Sequence, residues 1–161
     1  MFKRLLVPLD GSPFALQALP YAAEIAQRFS AEVVLVQVMK PATFIIAAGA
    51  PGGVSPAASE IAVQAARETD KRNAARARRY LSDKVRTMTS QRIESSYQVL
   101  VGDTARSIIE FSEKGNIDLV VMTTHGKSGL KRAVMGSIAD AVIRQSGKPV
   151  LVVRPQTGGN K

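Results

Sequence analysis

The chain has 161 residues, of which 45% are hydrophobic, and a formal net charge of +9. That length predicts one domain with a core of its own. It has no cysteine, which excludes a disulfide framework, a thiolate metal site and a cysteine nucleophile, and no apolar run approaches the roughly 18 residues of a membrane span.

The first apolar run, Leu5 to Leu9, ends at Asp10. It is shorter than a secretory core of about 7–15 residues and reads as the first strand, Lys3 to Leu9, of a cytoplasmic protein. Gly11-Ser12-Pro13 then opens a helix. Ser12 is its predicted N-cap, and Pro13 fills the first position, where a missing N–H costs nothing. The helix runs to about Phe29, and Pro20 inside it predicts a kink or a break. Glu32 to Met39 is the second strand. Residues 41–59 form a long loop of proline, glycine, alanine and serine, with an apolar patch at Phe44, Ile45 and Ile46 suited to covering a site or meeting a protein partner.

A long helix is predicted from about Pro56 to Met88. Ile61, Ala65, Thr69, Ala77, Leu81, Val85 and Met88 form its expected inward face, at near four-residue spacing. Arg67, Lys71, Arg72, Arg76, Arg78, Arg79, Lys84, Arg86 and Arg92 lie along it and its exit. A basic cluster suits nucleic acid, an acidic membrane or an anionic ligand. Base-stacking modules place aromatics among their basic residues; here only Tyr80 is present, on the apolar face. The cluster reads as a solvated helix face, and nucleic acid ranks last among the partners.

Ser95 to Val101 is the third strand. Asp103 caps a third helix with Ile108, Ile109 and Phe111 as core, ended by Gly115-Asn116. Ile117 to Met122 is the fourth strand, apolar throughout as in a parallel strand covered on both faces. It breaks into a polar loop, Thr123 to Gly129. Gly136-Ser137 follows, with Ser137 as the expected N-cap of a fourth helix whose stripe is Ile138, Val142 and Ile143. Gly147 closes that helix near Gln145. Pro149 to Val153 is the fifth strand. The domain spans 1–154, and 155–161 form a disordered tail.

Five apolar strands alternating with helices predict a single α/β domain, an open parallel sheet with helices on both faces. Ligands of such sheets bind at the carboxyl ends of strands, where strand order reverses. Pro8-Leu9-Asp10 and Thr123-Thr124-His125-Gly126 both end strands. Glycine turns bring bare N–H groups to a ligand, and a helix start adds its open donors and positive dipole end. The combination suits phosphate. Gly126-Lys127-Ser128 is not a P-loop, because Val121 stands where that motif needs its first glycine, and no G-x-G-x-x-G follows a strand.

The chain resembles the universal stress protein family over essentially its whole length. The resemblance rests on Leu6-Val7-Pro8-Leu9-Asp10-Gly11-Ser12, on Thr124-His125-Gly126 followed after nine residues by Gly136-Ser137, and on Lys148-Pro149-Val150-Leu151-Val152-Val153. The ATP-binding branch carries glycine, two residues, glycine, nine residues, then glycine with serine or threonine. Gly126, Gly136 and Ser137 match; Thr123 replaces the first glycine. The resemblance implies a Rossmann-like fold of the adenine nucleotide alpha hydrolase kind, with strand order 3-2-1-4-5. It implies ATP as ligand, with Mg2+ carried on the phosphates. Asp10 would lie near ribose and adenine, and the backbone of Val38 against adenine. Gly126, Lys127, Ser128 and Gly129 would wrap the phosphates, and Gly136, Ser137 and Ile138 would close from the helix side. Pro8, Leu9, Met122, Thr123, Thr124 and His125 complete the expected wall. A homodimer through Pro149 to Val153 is implied too.

His125 is the only histidine. No triad can be assembled around it, so it reads as a residue that shapes the loop. The reading is a regulatory ATP-binding protein of the universal stress type. The alternatives are a slow ATPase on the same scaffold, and a member that acts through protein contacts, with Thr123 blocking the pocket.

Overall fold

The computed structural model describes residues 1–42, 56–124 and 135–154. It contains β1 (Arg4–Pro8), α1 (Pro13–Leu16), α2 (Leu19–Phe29), β2 (Glu32–Met39), α3 (Pro56–Ser90), β3 (Ser95–Val101), α4 (Thr104–Lys114), β4 (Leu119–Thr123), α5 (Ser137–Gln145) and β5 (Val150–Val153). The strands make one sheet in the order β3-β2-β1-β4-β5, and every pairing is parallel.

The two sheet faces are sorted by strand parity. Leu5, Val7, Val33, Leu35, Leu119 and Val121 pack with Ala22 and Ala26 of α2 and with Leu81 and Met88 of α3. Leu6, Val34, Val36, Val120 and Met122 pack on the other face, with Ile108 of α4 and Ala139 and Val142 of α5. Successive side chains of a strand alternate faces, so a strand covered on both sides must be apolar throughout. Leu5, Leu6 and Val7 show this directly: all three are fully buried.

Pro8 decides where the sheet opens. Toward β2, pairing of β1 continues to Pro8 opposite Val36, and the Leu9 N–H reaches the Val36 carbonyl at 2.7 Å. Toward β4, register pairs end at Leu6 opposite Val120. Donors alternate sides along a parallel strand, so Pro8 lacks its N–H on the β4 side, where a central strand would have continued the ladder. β1 and β4 therefore part company at their carboxyl ends.

Some expectations hold and others need correction. The break expected from Pro20 is present: the first helix ends ahead of it, at Gln17-Ala18, and Pro20 occupies the second position of α2. A proline ring clashes with the carbonyl four residues back, so the chain ends one helix at Leu16 and starts another. Helix α3 begins at Pro56, as expected, so the preceding loop ends before residue 59, and it runs two residues past Met88 to Ser90. Its inward face is rotated at the N-terminal end: Ile61 is 72% exposed, Ala65 and Thr69 are exposed, and Ala66 is buried. Ala66, Ala77, Leu81 and Met88 form the buried stripe. Strand β4 is shifted, starting at Leu119 and including Thr123. In α5 the buried pair is Ala139 and Val142, with Ile138 and Ile143 each 39% exposed. Phe44, Ile45 and Ile46 and the tail 155–161 lie outside the described residues. No helix among the described residues is long and apolar enough to cross a membrane.

Candidate functional site

A cavity of about 430 Å³ opens where β1 and β4 separate. That volume lies in the range of small-ligand sites. Its wall includes Pro8, Leu9, Asp10, Val38, Met122, Thr123, Thr124, Gly136, Ser137 and Ile138, all of them residues singled out in the sequence. His125, Gly126, Lys127, Ser128 and Gly129 lie outside the described residues.

Each part of the wall has a local cause. After β1 the chain turns at Gly11, whose φ of +82° an L side chain rarely adopts. Asp10 steadies that turn, its Oδ1 accepting the Ser12 N–H at 2.9 Å. Ser12 then caps α1, its Oγ accepting the Ala15 N–H at 3.1 Å. The Thr124 N–H donates to Val153 at 3.1 Å, and the Thr124 carbonyl accepts the Gly136 N–H at 2.9 Å. The first bond ties the exit of β4 to β5, and the second holds it against the entrance of α5.

The start of α5 differs from the sequence expectation. Gly136, not Ser137, is the N-cap, and as a glycine it has no side chain to cap the helix. Ser137 is the first helical residue, so its hydroxyl has no capping duty. A helix leaves its first N–H groups without intrahelical acceptors, and Ser137, Ile138 and Ala139, which carry such groups, are among the residues that line the cavity. Thr104, the first residue of α4 after its Asp103 cap, lines the cavity as well. The start of α5 and Lys40 thus border one space, and their partial and full positive charges favour an anion there; at α4 the Asp103 carboxylate takes the first-turn N–H of Arg106 instead. Asp10 is the acidic group of the wall and faces a ligand's hydrogen-bond donors instead.

Thr123 closes β4 in register with Val153 and is 8% exposed. The cavity persists beside it. Sequence reasoning missed Ala15, Val36, Gln37, Lys40, Thr104, Ile108 and Ala139. Gln37 carried a usable signal, since it alone is polar between Val33 and Met39. Tyr80 of α3, half-buried, packs against the core cluster that holds Leu9 and Ala15. Burial raises the pKa of its phenol, and the negative charge of Asp10 raises it further.

The family model described as "Universal stress protein family" matches residues 1–154. The chain belongs to the universal stress protein family. Universal stress protein MJ0531 of Methanocaldococcus jannaschii is 35% identical over 156 residues, covering 96% of this chain and 83% of that protein. The solved structure of MJ0577, from the same organism, superposes with a TM-score of 0.81 at 24% identity, covering 98% of this chain and 99% of its own. A universal stress protein family protein of Arabidopsis thaliana, solved with AMP bound, superposes with a TM-score of 0.61 at 13% identity, covering 96% of this chain and 93% of its own. At those identities the structural likeness speaks for the fold, which this universal stress protein shares.

Proposed function

We propose that this universal stress protein is a cytoplasmic regulatory protein that binds ATP in the cavity between the carboxyl ends of β1 and β4. The observation that carries this reading is the convergence of a helix start, Gly136 to Ala139, with the Asp10 turn on one cavity of nucleotide-compatible volume. The α5 start takes the phosphate end, because its open N–H groups and dipole favour negative charge. Asp10 takes the ribose and base end, where donors are available to a carboxylate. The AMP held by the Arabidopsis relative supports an adenine nucleotide as the ligand class. The cysteine-free composition supports a reducing compartment.

Magnesium enters on the triphosphate and keeps most of its waters, as it commonly does. The sheet leaves β5 as an edge strand, with Val150, Leu151 and Val152 only partly buried. An edge of that kind pairs readily with another copy, and it supports a homodimer through β5. Nucleotide occupancy then changes what the dimer, or the segment before α3, presents to a protein partner.

Calorimetric titration of ligand-free protein with ATP and magnesium tests the reading. Saturable binding that is lost in Gly126→Val is the expected result. Absence of binding at millimolar ATP refutes it.

A further inference from the structure

Helix α3 and its exit carry most of the chain's charge. From Arg67 to Arg92 there are nine cations against three acids, Glu68, Asp70 and Asp83, which leaves six of the nine net positive charges of the chain on this stretch. The structure fixes which way they face. Ala66, Ala77, Leu81 and Met88 are buried, and Leu81 and Met88 belong to the core under the sheet. The cations from Arg67 to Arg79, and Arg86 beyond them, are exposed. The acids do not neutralise this face. Asp70 accepts the Ala42 N–H at 2.6 Å, Glu68 pairs with Lys71 at 2.9 Å and Asp83 meets Arg86 at 3.7 Å. Arg67, Arg72, Arg76, Arg78 and Arg79 form no ion pair among the described residues.

Helical spacing sorts the cations into rows. Arg72, Arg76, Arg79 and Arg86 fall in one row, and Arg67, Lys71 and Arg78 in a second, about a third of a turn round the helix. Ala75 lies between the rows and is exposed. At about 1.5 Å per residue, Arg67 to Arg86 spans about 28 Å. Two rows of cations along one helix suit a surface that itself presents two rows of anions. The major groove of B-form DNA is such a surface: it is about 12 Å wide, admits a helix, and has phosphates along both walls. Arginine outnumbers lysine here, and its planar fork matches phosphate in a bidentate way. A helix lying on a membrane needs apolar residues beside its basic ones, whereas Leu81 and Met88 are turned into the core. The missing aromatics that rank nucleic acid last in the sequence argue against a base-stacking platform for single strands. Contacts to duplex phosphates need none.

We propose that the outer face of α3 binds the phosphate backbone of double-stranded DNA without regard to base sequence. This surface is separate from the cavity, which no described residue of α3 lines.

The test is fluorescence anisotropy of a labelled DNA duplex of mixed sequence, about two helical turns long, titrated with the full-length protein. A single strand of the same length and vesicles of phosphatidylcholine with phosphatidylglycerol are the competing probes. Duplex binding with a dissociation constant of about 1–100 μM at physiological salt is expected, with a slope of log affinity against log salt of about −3 to −5. Arg72→Gln, Arg76→Gln and Arg79→Gln together should flatten that slope by about 2 to 3 and weaken binding tenfold or more at about 50 mM salt. Arg28→Gln, Arg106→Gln and Arg144→Gln together remove the same charge from exposed positions on α2, α4 and α5, and should leave the slope unchanged. An equal loss in the two triple variants overturns the proposal, because overall charge and not the α3 face is then responsible. Affinity that ignores salt, or no duplex binding at about 100 μM protein, overturns it as well. Tighter binding to the single strand or to the anionic vesicles overturns it in favour of that partner. The salt slope and the comparison of probes use the native protein alone, so they decide the matter even where a variant folds poorly.

Discussion

Replacing Thr123 by glycine restores the residue that the ATP-binding branch carries at this position, and it asks whether the threonine obstructs the cavity. Thr123 is 8% exposed, the last residue of β4, and paired with Val153. Deleting its Cβ and methyl removes two buried carbons at about 0.8 kcal/mol each. A glycine in a strand adds roughly 0.5–1 kcal/mol of backbone entropy. The sum is about 2 kcal/mol, which for a chain of this size lowers Tm by about 4–8 °C. No gain in affinity is expected, because the threonine belongs to the strand wall and the cavity of about 430 Å³ exists with it in place. Thermal denaturation and ATP titration of Thr123→Gly beside the native protein measure both. Tenfold tighter binding in the variant refutes the reasoning and makes Thr123 a plug. An unchanged Tm refutes the account of how the residue is packed.

Three further outcomes are expected. Leu81→Ala should lose about 2–5 kcal/mol, as fully buried leucines do, whereas Ile61→Ala should change little because Ile61 is 72% exposed; denaturant unfolding of the two variants reads the true inward face of α3. Asp118 sits at the amino ends of β1 and β4, away from the cavity, its Oδ2 accepting the N–H groups of Lys3 at 2.7 Å and Arg4 at 3.0 Å. The Lys3 N–H lowers its pKa most, partial desolvation opposes this, and the Arg4 N–H lowers it again. A depressed carboxylate stabilises the fold above its unfolded pKa and loses that contribution as pH falls through the folded value. The Tm gap between native protein and Asp118→Asn should therefore be full near neutrality and close in acid; a gap that widens in acid contradicts the hydrogen bonds. Val152→Lys places a charge on the β5 edge and should shift a dimer to monomer in sedimentation velocity. A native protein that is monomeric at high concentration sinks the β5 interface.

Much of the fold was legible because its signals are local. The four-residue apolar blocks of β1, β2 and β4 identify strands covered on both faces, and their alternation with helices dictates a parallel sheet. Ser12-Pro13 and Asp103 were readable as helix starts because a cap needs a side chain at a fixed offset. The α3 face was misread at its N-terminal end for the opposite reason. That part of the helix is rich in alanine, and alanine fits an inward or an outward face, so only contact with the sheet chooses Ala66 over Ala65.

The site divides in the same way. Pro8 to Asp10, Thr123-Thr124 and Gly136-Ser137 could be read from the chain because glycine, proline and polar residues at strand ends mark turns, and turns at carboxyl ends mark sites. Ser137 showed the limit: serine after glycine predicts a cap, yet the Gly136 N–H bond to Thr124 places the helix start one residue earlier. The amino-acid sequence by itself determined the family, the strand pattern and the turns that border the cavity. Tertiary structure alone decided that β1 and β4 separate beyond Leu6 and that Thr104 of α4 and the start of α5 line the same gap. Those are relations between residues far apart in the chain, set by packing across the sheet, and no local pattern encodes them.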